Sequence, residues 1–570
     1  MRVDLFSSGD SVLLIGEGNF SFAVGLVNSQ QSLNITATCF EPVVTHVNGR
    51  ENIHYLESKG VCVLLDVDGR KLTEHPILKT RTFSKIVFNF PHVGGKMKIN
   101  LNRQLLKEFC ESASQLLVND GKVIITLCKG QGGTPADKTS RRWDDTWQVV
   151  EMAAHGDLIL VGVESFQSSV FPNYFSVGYR SQDKGFHIND ALVHVFSKVD
   201  FPSTLLEVDQ LMNDIDLNTI NSHHGDIKCS KVYTCKYNSK ILEREGSPPN
   251  FLCKTLHDFL SSQTSGMIKY ITDVNVPLHI SDIAGEFICS TDKSVAGTHC
   301  VLRSSLLDVV HHIINLWKHS QAHVAVCSGL VFHPLTSDFT PPPVSNEVLL
   351  VGKDVSSVCE GYLNHVINLF DRADLKVQIY KTGSEYSSDS ASKSLCSQVG
   401  EVVTKDDVLL LQGDTELQCK NVIAQIFFIR SSSGDTEISL IFVDRLALIL
   451  FNLDDWRELW PLNTYVKLKG QKPSLKLASL FPTKHTFDVN IVYRNLFDEH
   501  KFFSLLWDMA GDIIRSVEVR NTFASSKGWC AICYRIKYQS SDKALYRNRV
   551  IKIHETIGKV LCAKLSIEIT

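Results

Sequence analysis

Two glycines on either side of a glutamate give this chain its clearest chemical signal. An apolar run at residues 12–15 has the length of a buried strand and ends at Gly16, Glu17 and Gly18, and a second apolar stretch begins near Phe20. This order predicts a strand, a glycine turn and a helix. Gly16 permits the tight turn, Gly18 allows a ligand to approach the backbone, and the helix directs free N–H groups at it. The pattern indicates a nucleotide-like cofactor site or, alternatively, only a sharp connection.

Polar side chains follow three further strand-like runs, at the point where each run ends. The runs are residues 35–40, 61–65 and 85–88, and the polar groups that follow them are Glu41, Asp68, Asn89 and His92. In an open α/β sheet, ligands bind at the carboxyl ends of the strands. We therefore expect these side chains to converge on one crevice.

The charge in the glycine turn favours a cationic or zwitterionic cofactor. No third glycine follows Gly18, and Glu17 would repel a pyrophosphate. S-adenosylmethionine fits, with its sulfonium and amino group near Glu17, its ribose hydroxyls on Glu41 and its adenine amine near Asp68. We predict S-adenosylmethionine as the cofactor.

Four motifs in the first 200 residues resemble one family of methyltransferases. They are GEGNFSFA (16–23), VDGRKL (67–72), IVFNFPHVG (86–94) and FPNY (171–174). In this order they resemble the Rossmann-like family that includes ribosomal-RNA uridine-N3 methyltransferases, over residues 8–198. The resemblance implies S-adenosylmethionine as methyl donor, a seven-stranded Rossmann-like sheet and an RNA base as acceptor.

The resemblance also implies roles for single residues. It assigns the cofactor loop to Gly16, Glu17, Gly18, Asn19, Phe20 and Ser21, the adenine contact to Asp68, and the face beside the acceptor base to Asn89, Pro91 and His92. A uracil ring nitrogen is a poor nucleophile until its proton leaves, so His92 is a candidate general base and Asn89 a candidate clamp for the base edge. The alternative is that both side chains only satisfy backbone groups around Pro91.

The chain departs from this family after Tyr174. Where the family tends to carry a His-Arg pair, this chain has Phe-Ser-Val-Gly at residues 175–178, followed by Tyr179 and Arg180. The departure bears on catalysis, and an inactive RNA-binding protein remains an alternative.

Composition bounds the remaining classes of function. A chain of 570 residues suffices for three to four domains, and 44% apolar and 21% charged residues are globular values. The net charge of −4 means that RNA binding would depend on local patches. No apolar stretch is long enough to span a membrane.

The cysteines predict reduced thiols of the cytoplasm or nucleus, because residues 1–10 contain no signal-peptide core ahead of the sixteen cysteines. Two groups were candidates for a metal site, and neither has the paired clusters of a zinc site: His223, His224, Cys229 and Cys235, and Cys530 with Cys533. We predict no metal.

The region after residue 200 contains two proline-rich breaks. They lie at residues 247–250 and 340–343, and the three prolines of the second make it the better hinge or linker candidate. Helices are expected at residues 306–317 and near 354–369.

The C-terminal region shows the order β-α-β-β-α-β of the ferredoxin-like split pattern. We expect strands at residues 486–491, 517–520, 529–538 and 564–569, and helices at residues 501–514 and 548–562. The segments FFSLL (502–506), GDII (511–514), CYRIKY (533–538) and DKAL (542–545) resemble the ferredoxin-fold anticodon-binding domain of phenylalanyl-tRNA synthetases.

The segment VDRLALIL (443–450) resembles the third motif of class II synthetases, in which a glycine-rich strand leads into an Arg-Leu-Ala helix. Arg445 is present, but residues 441–443 are Ile-Phe-Val where the family has glycines, and no second motif is found. The resemblance implies a degenerate synthetase core without an ATP site.

Six basic residues near the C-terminal tyrosines suit RNA phosphates and stacked bases: Arg535, Lys537, Lys543, Arg547, Arg549 and Lys552. The alternative is an ordinary solvated charged surface. The RNA could be ribosomal or transfer RNA.

We therefore predict an α/β Rossmann-like methyltransferase domain at residues 1–200, an α+β degenerate class II synthetase-like domain at 201–460, and an α+β ferredoxin-like domain at 475–570. The predicted function is S-adenosylmethionine-dependent methylation of uridine N3 in ribosomal RNA, in the cytoplasm or alternatively in the nucleus or nucleolus. The alternative is a catalytically inactive RNA-binding scaffold.

Overall fold

The computed structural model divides the chain into two compact units. Unit 1 comprises Met1–Ser203, Ala478–Thr486 and Tyr538–His554, and unit 2 comprises Thr204–Leu477, Phe487–Lys537 and Glu555–Thr570. The structure describes residues 5–30, 32–94, 98–139, 141–177, 187–216, 219–222, 225–263, 268–271, 277–279, 300–382, 401–412, 422–430, 435–494, 496–526 and 528–570.

The strands of the described residues, in chain order from β1, are Ser11–Ile15, Asn34–Thr38, Cys62–Leu64, Phe83–Asn89, Leu117–Leu127, Leu158–Ser165, Leu192–Lys198, Thr219–Ser222, Gly225–Lys228, Ile268–Ile271, Pro277–His279, Cys300–Leu302, Val324–Phe332, Val344–Gly352, Leu375–Thr382, Glu401–Gln412, Val422–Arg430, Thr436–Phe442, Tyr465–Lys469, Lys472–Lys476, His485–Tyr493, Ile514–Ala524, Cys530–Tyr538 and Glu568–Ile569 (β24). The α-helices, in chain order from α1, are Ser21–Ser29, Val47–Ser58, Ile99–Ala113, Val149–Ala154, Val208–Asp216, Lys231–Asn238, Pro248–Gln263, Val310–Lys318, Val355–Leu369, Val443–Phe451, Glu499–Ala510 and Arg547–Leu565 (α12).

Unit 1 is built on a seven-stranded sheet in the order β3-β2-β1-β4-β5-β7-β6. Strands β1 to β5 run parallel to one another, and β7 is antiparallel to both β5 and β6. The strands predicted at residues 12–15, 35–40, 61–65 and 85–88 are confirmed as β1 to β4, and the helix expected near Phe20 is confirmed as α1.

The sheet of unit 1 is buried on both faces, which is why its strands are apolar runs rather than alternating ones. On β1, Leu13 and Ile15 belong to one core cluster, which also holds Phe109 of α3, whereas Leu14 belongs to a second cluster with Leu26 of α1. Helices α3 and α4 thus cover one face, and α1 and α2 cover the other.

Two C-terminal segments complete unit 1, the segments 478–486 and 538–554. The backbone N–H of Leu480 donates to the carbonyl of Leu160 at 2.6 Å. Ala544 packs in a small apolar cluster with Ala154 and Ile159. The segment with the predicted RNA-binding residues Arg547 and Arg549 is therefore packed against α4 and β6.

Unit 2 contains a second seven-stranded sheet in the order β10-β13-β14-β18-β17-β16-β15. All its strand pairs are antiparallel except β10 with β13. Helix α8 packs on it through Ile313, and the helices predicted at residues 306–317 and 354–369 are confirmed, the first beginning with a 3-10 turn at Leu306–Val309.

The triple-proline segment is not a linker between domains, contrary to the expectation for residues 340–343. It precedes β14, which pairs with β13 from Phe332 opposite Val344, so the prolines lie in the connection between two neighbouring strands. Phe339 in this connection is buried, and its ring stacks on Trp507 at 4.2 Å. The earlier break at residues 247–250 is the start of α7, where proline fits the first turn.

The C-terminal elements follow the predicted order β21-α11-β22-β23-α12-β24, and the four strands form one sheet in the order β22-β23-β21-β24. Four elements, β22, α11, α12 and β24, have at least one boundary that differs from the prediction by three residues or more, and β22 runs over Ile514–Ala524 instead of residues 517–520. Helix α11 ends at Ala510 instead of residue 514, and α12 continues to Leu565, so that the last strand is only Glu568–Ile569.

Candidate functional site

A cavity of about 350 Å³ opens at the carboxyl ends of β1, β2 and β4 in unit 1. Its lining includes most of the predicted site residues, namely Gly16, Glu17, Gly18, Asn19, Ser21, Glu41, Asp68, Asn89 and His92. Phe20 and Pro91 are not part of the lining. Phe20 has a left-handed backbone with φ 59° and a side chain buried in the core, and Pro91 is also buried.

Gly16 gives the glycine turn its shape. Its φ is +69°, and a Cβ added there would lie 2.8 Å from Cε2 of Phe88. A side chain at this position would therefore be strained and would also clash with an aromatic ring at the floor of the cavity. The close approach of Phe88 on the neighbouring strand β4 therefore explains why the turn needs a glycine at position 16.

Glu17 is buried at the start of α1, where its carboxylate accepts a hydrogen bond from the backbone N–H of Ala23 at 3.2 Å. Burial raises the pKa of this carboxyl to about 7, although hydrogen bonds from the backbone of Ala23 and Phe22 act in the opposite direction. The Glu17 carboxylate therefore both accepts from an N–H of the first turn of α1 and lines the cavity. Near neutral pH it is poised between its neutral and its ionised form.

Asn19 and Ser21 hold the opposite wall of the cavity. The hydroxyl of Ser21 donates to the carbonyl of Phe175 at 2.9 Å and accepts from its N–H at 3.0 Å, and the amide of Asn19 donates to the same carbonyl at 3.3 Å. Phe175 is 59% exposed and lines the cavity. The glycine loop thereby fixes the backbone of Phe175, an exposed aromatic residue next to the predicted cofactor site.

Asp68 is held by a neighbour within its own motif. Arg70 donates to both carboxylate oxygens, from Nε at 2.9 Å and from Nη2 at 2.7 Å. Burial alone would raise the pKa of Asp68, but the hydrogen bonds and charge of Arg70 outweigh burial and lower it. Glu41, the other predicted carboxylate, accepts a hydrogen bond from the thiol of Cys39 at 3.2 Å.

Asn89 stands at the end of β4 with its amide oriented by β5. Its Oδ1 accepts from the hydroxyl of Thr126 at 2.6 Å, and its Nδ2 is buried with no acceptor among the described residues. Because a buried amide donor normally has a partner, this nitrogen is a candidate contact for a ligand carbonyl.

His92 is a neutral hydrogen-bond donor in this arrangement. The N–H of Gly94 donates to its Nδ1 at 2.7 Å, so the proton of the neutral ring lies on Nε2. Burial, together with the charge of Lys98, lowers the pKa of His92. The arrangement supports a hydrogen bond from Nε2 to a base carbonyl rather than the predicted role as general base.

The predicted RNA-binding residues are mostly engaged within their own units. Arg535 pairs with Asp488, Lys537 with Glu518, Lys543 with Asp542 and Arg549 with Asp157. The backbone N–H of Arg547 donates to Glu151 at 2.7 Å, and Lys552 is exposed on α12.

Some residues of the site are not among the predicted site residues. Arg70 and Phe40 line the cavity, and Thr126 orients Asn89 without lining it. Arg70 stands inside the VDGRKL motif and Phe40 immediately before Glu41, so both could have been found from their neighbours. Thr126 lies within a buried strand, and no local signal distinguishes it.

No cluster of three metal-ligating side chains occurs among the described residues. His223 and His224 lie outside them, as do Gly178, Tyr179 and Arg180. Within the same part of the chain, none of the helices has the length and hydropathy that a membrane span requires.

The strand order of unit 1, its antiparallel β7 and the cavity at the carboxyl ends of the strands are those of a Rossmann-like α/β domain. Residues 13–178 match the family model described as rRNA (uridine-N3-)-methyltransferase BTM5-like. The resemblance drawn from the four N-terminal motifs is thereby confirmed.

Three relatives extend the comparison. The chain is 29% identical to ferredoxin-fold anticodon-binding domain-containing protein 1 of Homo sapiens, over 96% of this chain and 97% of the relative. It is 27% identical to the 25S rRNA (uridine(2634)-N(3))-methyltransferase of Saccharomyces cerevisiae, over 35% of this chain and 75% of the relative. It is 26% identical to the chloroplastic/mitochondrial phenylalanine–tRNA ligase of Arabidopsis thaliana, over 22% of this chain and 30% of the relative. The resemblance to phenylalanyl-tRNA synthetases is also confirmed.

Proposed function

We propose that unit 1 is an S-adenosylmethionine-dependent RNA methyltransferase whose acceptor is the N3 atom of a uridine in ribosomal RNA. The observation that carries the proposal is the cavity at the strand ends, with a buried carboxyl, Glu17, in its wall. The similarity to the yeast rRNA methyltransferase supports the choice of acceptor.

The residues of the cavity fit this cofactor. Its positive groups would lie near Glu17, because a buried carboxylate is stabilised by a cation. Glu41 would accept hydrogen bonds from its ribose hydroxyls, and Asp68 would accept one from its adenine amine. The exposed aromatic rings of Phe40 and Phe175 offer apolar surface at the cavity. When bound, S-adenosylmethionine supplies an electrophilic methyl group.

The acceptor side is formed by Asn89 and His92. A uracil edge presents two carbonyl oxygens, one on each side of the N3 proton. Hydrogen-bond donors at these oxygens stabilise the negative charge that develops when N3 loses its proton to solvent water. Nδ2 of Asn89 and Nε2 of His92 are donors of this kind, and Thr126 fixes the orientation of the Asn89 amide.

The proposed character of the C-terminal half is consistent with a structured RNA as the substrate. We propose that residues 201–460 are a degenerate class II synthetase core and residues 475–570 a ferredoxin-fold anticodon-binding domain that binds ribosomal or transfer RNA. Arg445 is exposed, with its guanidinium 4.7 Å from the Phe442 ring, and the motif around it lacks the glycines of an ATP site. A nuclear or nucleolar location follows from a ribosomal substrate, with the cytoplasm as the alternative.

The second candidate is a catalytically inactive RNA-binding scaffold. It is favoured by the missing His-Arg pair after FPNY and by the Nδ1 contact of His92, which leaves this ring without the role of a base.

Calorimetry of S-adenosylmethionine with the full chain tests the proposal. Glu41→Ala and Asp68→Ala should each weaken binding about tenfold or more, because each removes a charged acceptor worth about 1.5–3 kcal/mol. Glu51→Ala is the matched control, since Glu51 is exposed on α2 and is not part of the cavity lining.

Binding by the wild-type chain that is lost in the two cavity variants supports the methyltransferase, and transfer of a tritiated methyl group to uridine of ribosomal RNA would then establish the acceptor. If the wild-type chain does not bind S-adenosylmethionine, the methyltransferase proposal is wrong and the inactive RNA-binding scaffold is the better hypothesis.

A further inference from the structure

A loop of unit 1 brings an exposed tryptophan and two exposed arginines to the ligand edge of the sheet. The loop, named here the Trp143 loop, follows β5 and comprises the described residues 128–139 and 141–147. Arg141 and Arg142 are exposed, and Trp143 is 45% exposed. Because β5 is parallel to β4, its carboxyl end lies on the same edge of the sheet as the cavity.

Hydrogen bonds within the Trp143 loop hold its backbone in place. The carboxylate of Asp137 accepts from the backbone N–H groups of Gly130, Gly133 and Thr134, at 2.9, 3.1 and 3.3 Å. The side chain of Arg141 lies against Gly130, where a Cβ would come within 2.8 Å of its Nε. A loop ordered in advance loses little conformational entropy when it binds a partner.

The Trp143 loop contacts the acceptor side of the cavity at its base. The buried ring of Trp147 lies 5.8 Å from the ring of His92. Arg103 of α3 donates to the carbonyls of Thr146 at 2.6 Å and Asp144 at 2.8 Å, which ties the end of the loop to the helix behind it. The loop thus meets the proposed acceptor side through Trp147, and Trp143 lies four residues before Trp147 in the chain.

The charges around the loop leave its two arginines available. Burial lowers the pKa of Arg103, and the negative charges of Asp144 and Asp145 act in the opposite direction. Lys129 and Lys138 both pair with Asp190. With the residues that the structure describes, by contrast, Arg141 and Arg142 form no ion pair.

We propose that Arg141, Arg142 and Trp143 bind a single-stranded segment of the RNA substrate next to the acceptor base. The two guanidinium groups contact phosphates, and the indole stacks on a base, the combination by which proteins hold unpaired RNA. The inference rests on the proposed function for the identity of the partner, and it adds an RNA contact beside the cavity to the RNA-binding domain proposed at residues 475–570.

The test is fluorescence anisotropy of a labelled, uridine-rich single-stranded RNA with the full chain at several KCl concentrations. Trp143→Ala should weaken binding about fivefold or more, because stacking on an aromatic side chain contributes that much per base. Arg141→Ala combined with Arg142→Ala should reduce the slope of log affinity against log salt by about 1.4, since each lost phosphate contact with a single strand removes about 0.7.

A matched double variant, Lys59→Ala with Lys79→Ala, removes the same charge from the opposite edge of the sheet. Both lysines are exposed, one before β3 and one before β4, and this variant should leave affinity and slope unchanged. S-adenosylmethionine binding, measured in parallel, should be the same in all variants. Unchanged RNA binding in the Trp143 and arginine variants, or an equal loss in the lysine control, would overturn the inference.

Failure of the proposed function has a different signature. A wild-type chain that binds RNA through the Trp143 loop but does not bind S-adenosylmethionine would refute the methyltransferase and retain the RNA surface. A wild-type chain that binds the cofactor but not the RNA would retain the cofactor site and refute the RNA surface.

Discussion

Glu17 is a carboxyl group that folding removes from water and places beside the proposed cofactor site. Its pKa of about 7 reflects the cost of burying a negative charge, which no cation among the described residues offsets. A cationic ligand reverses part of that cost, so ligand binding and loss of the Glu17 proton favour each other.

The affinity for S-adenosylmethionine should therefore fall below neutral pH. Above pH 7 the carboxyl is already ionised, whereas below pH 7 its proton must leave before the cation binds, which weakens binding by up to about tenfold per pH unit. Calorimetry at pH 8, 7 and 6 measures the effect. In Glu17→Gln this loss of affinity below pH 7 should vanish. An equally steep fall of affinity with pH in that variant would contradict the role assigned to Glu17.

At the residue scale, the sequence was sufficient where the chemistry is local. The apolar run, the glycine turn and the following helix are contiguous, and residues 12–29 fold as predicted. The tasks of Asn19, Ser21 and Asp68 could not be read in the same way. Asn19 and Ser21 act on Phe175, a distant part of the chain, and Asp68 is already engaged by Arg70.

The start of α12 shows how a basic segment can serve packing instead of ligand binding. Arg549 pairs with Asp157 at 2.7 Å, and its guanidinium lies 4.3 Å from the ring of Phe201 and 4.7 Å from that of Tyr546. Tyr546 in turn stacks on His155 at 3.8 Å. This ion pair is part of what holds the segment 538–554 in unit 1.

Removing the Arg549 side chain should loosen α4 and β6. We expect Arg549→Ala to lower the free energy of opening of their amides by about 1.5–3 kcal/mol, the contribution of hydrogen bonds to charged groups in partly buried sites. Native-state hydrogen exchange measures it. The matched control is Arg535→Ala, whose pair with Asp488 is more exposed and should contribute less than about 1 kcal/mol. Equal losses of opening free energy in the two variants would show that burial adds nothing to the strength of the Arg549–Asp157 pair.

At the element scale, the order of strands and helices followed from periodicity, because each element carries its own apolar pattern. Boundaries set by distant contacts did not follow. Helix α11 ends before Gly511, whose carbonyl, like that of Ile514, accepts from the buried Arg457 guanidinium. The connection with three prolines resembled a linker, because proline content does not reveal that the flanking strands pair.

Across the whole molecule, the cysteines differ strongly in access to water. Twelve cysteines of the described residues are free thiols, and among these twelve Cys235 is exposed. Burial raises the pKa of Cys39 and Cys359 to about 12 in each case. Their thiolate fraction at pH 8 is about 1 in 10,000.

Alkylation of the native chain with iodoacetamide at pH 8 should therefore modify Cys235 before Cys39 and Cys359. The two buried thiols should react only after the chain is unfolded in urea, and peptide mass spectrometry follows each site. Comparable rates at exposed and buried sites in the native chain would contradict the burial of these thiols.

The composition of unit 1 also has a consequence for the order in which a ribosome makes the protein. Strands β1 to β7 leave the exit tunnel long before residues 478–486 and 538–554, which cover Ala154 and Ile159 on α4 and β6. Until those segments arrive, the newly made sheet exposes an apolar patch of the kind that chaperones bind. A premature stop codon anywhere between residues 204 and 477 would yield a protein with its glycine loop intact but this patch uncovered, a substrate for quality control rather than a smaller enzyme.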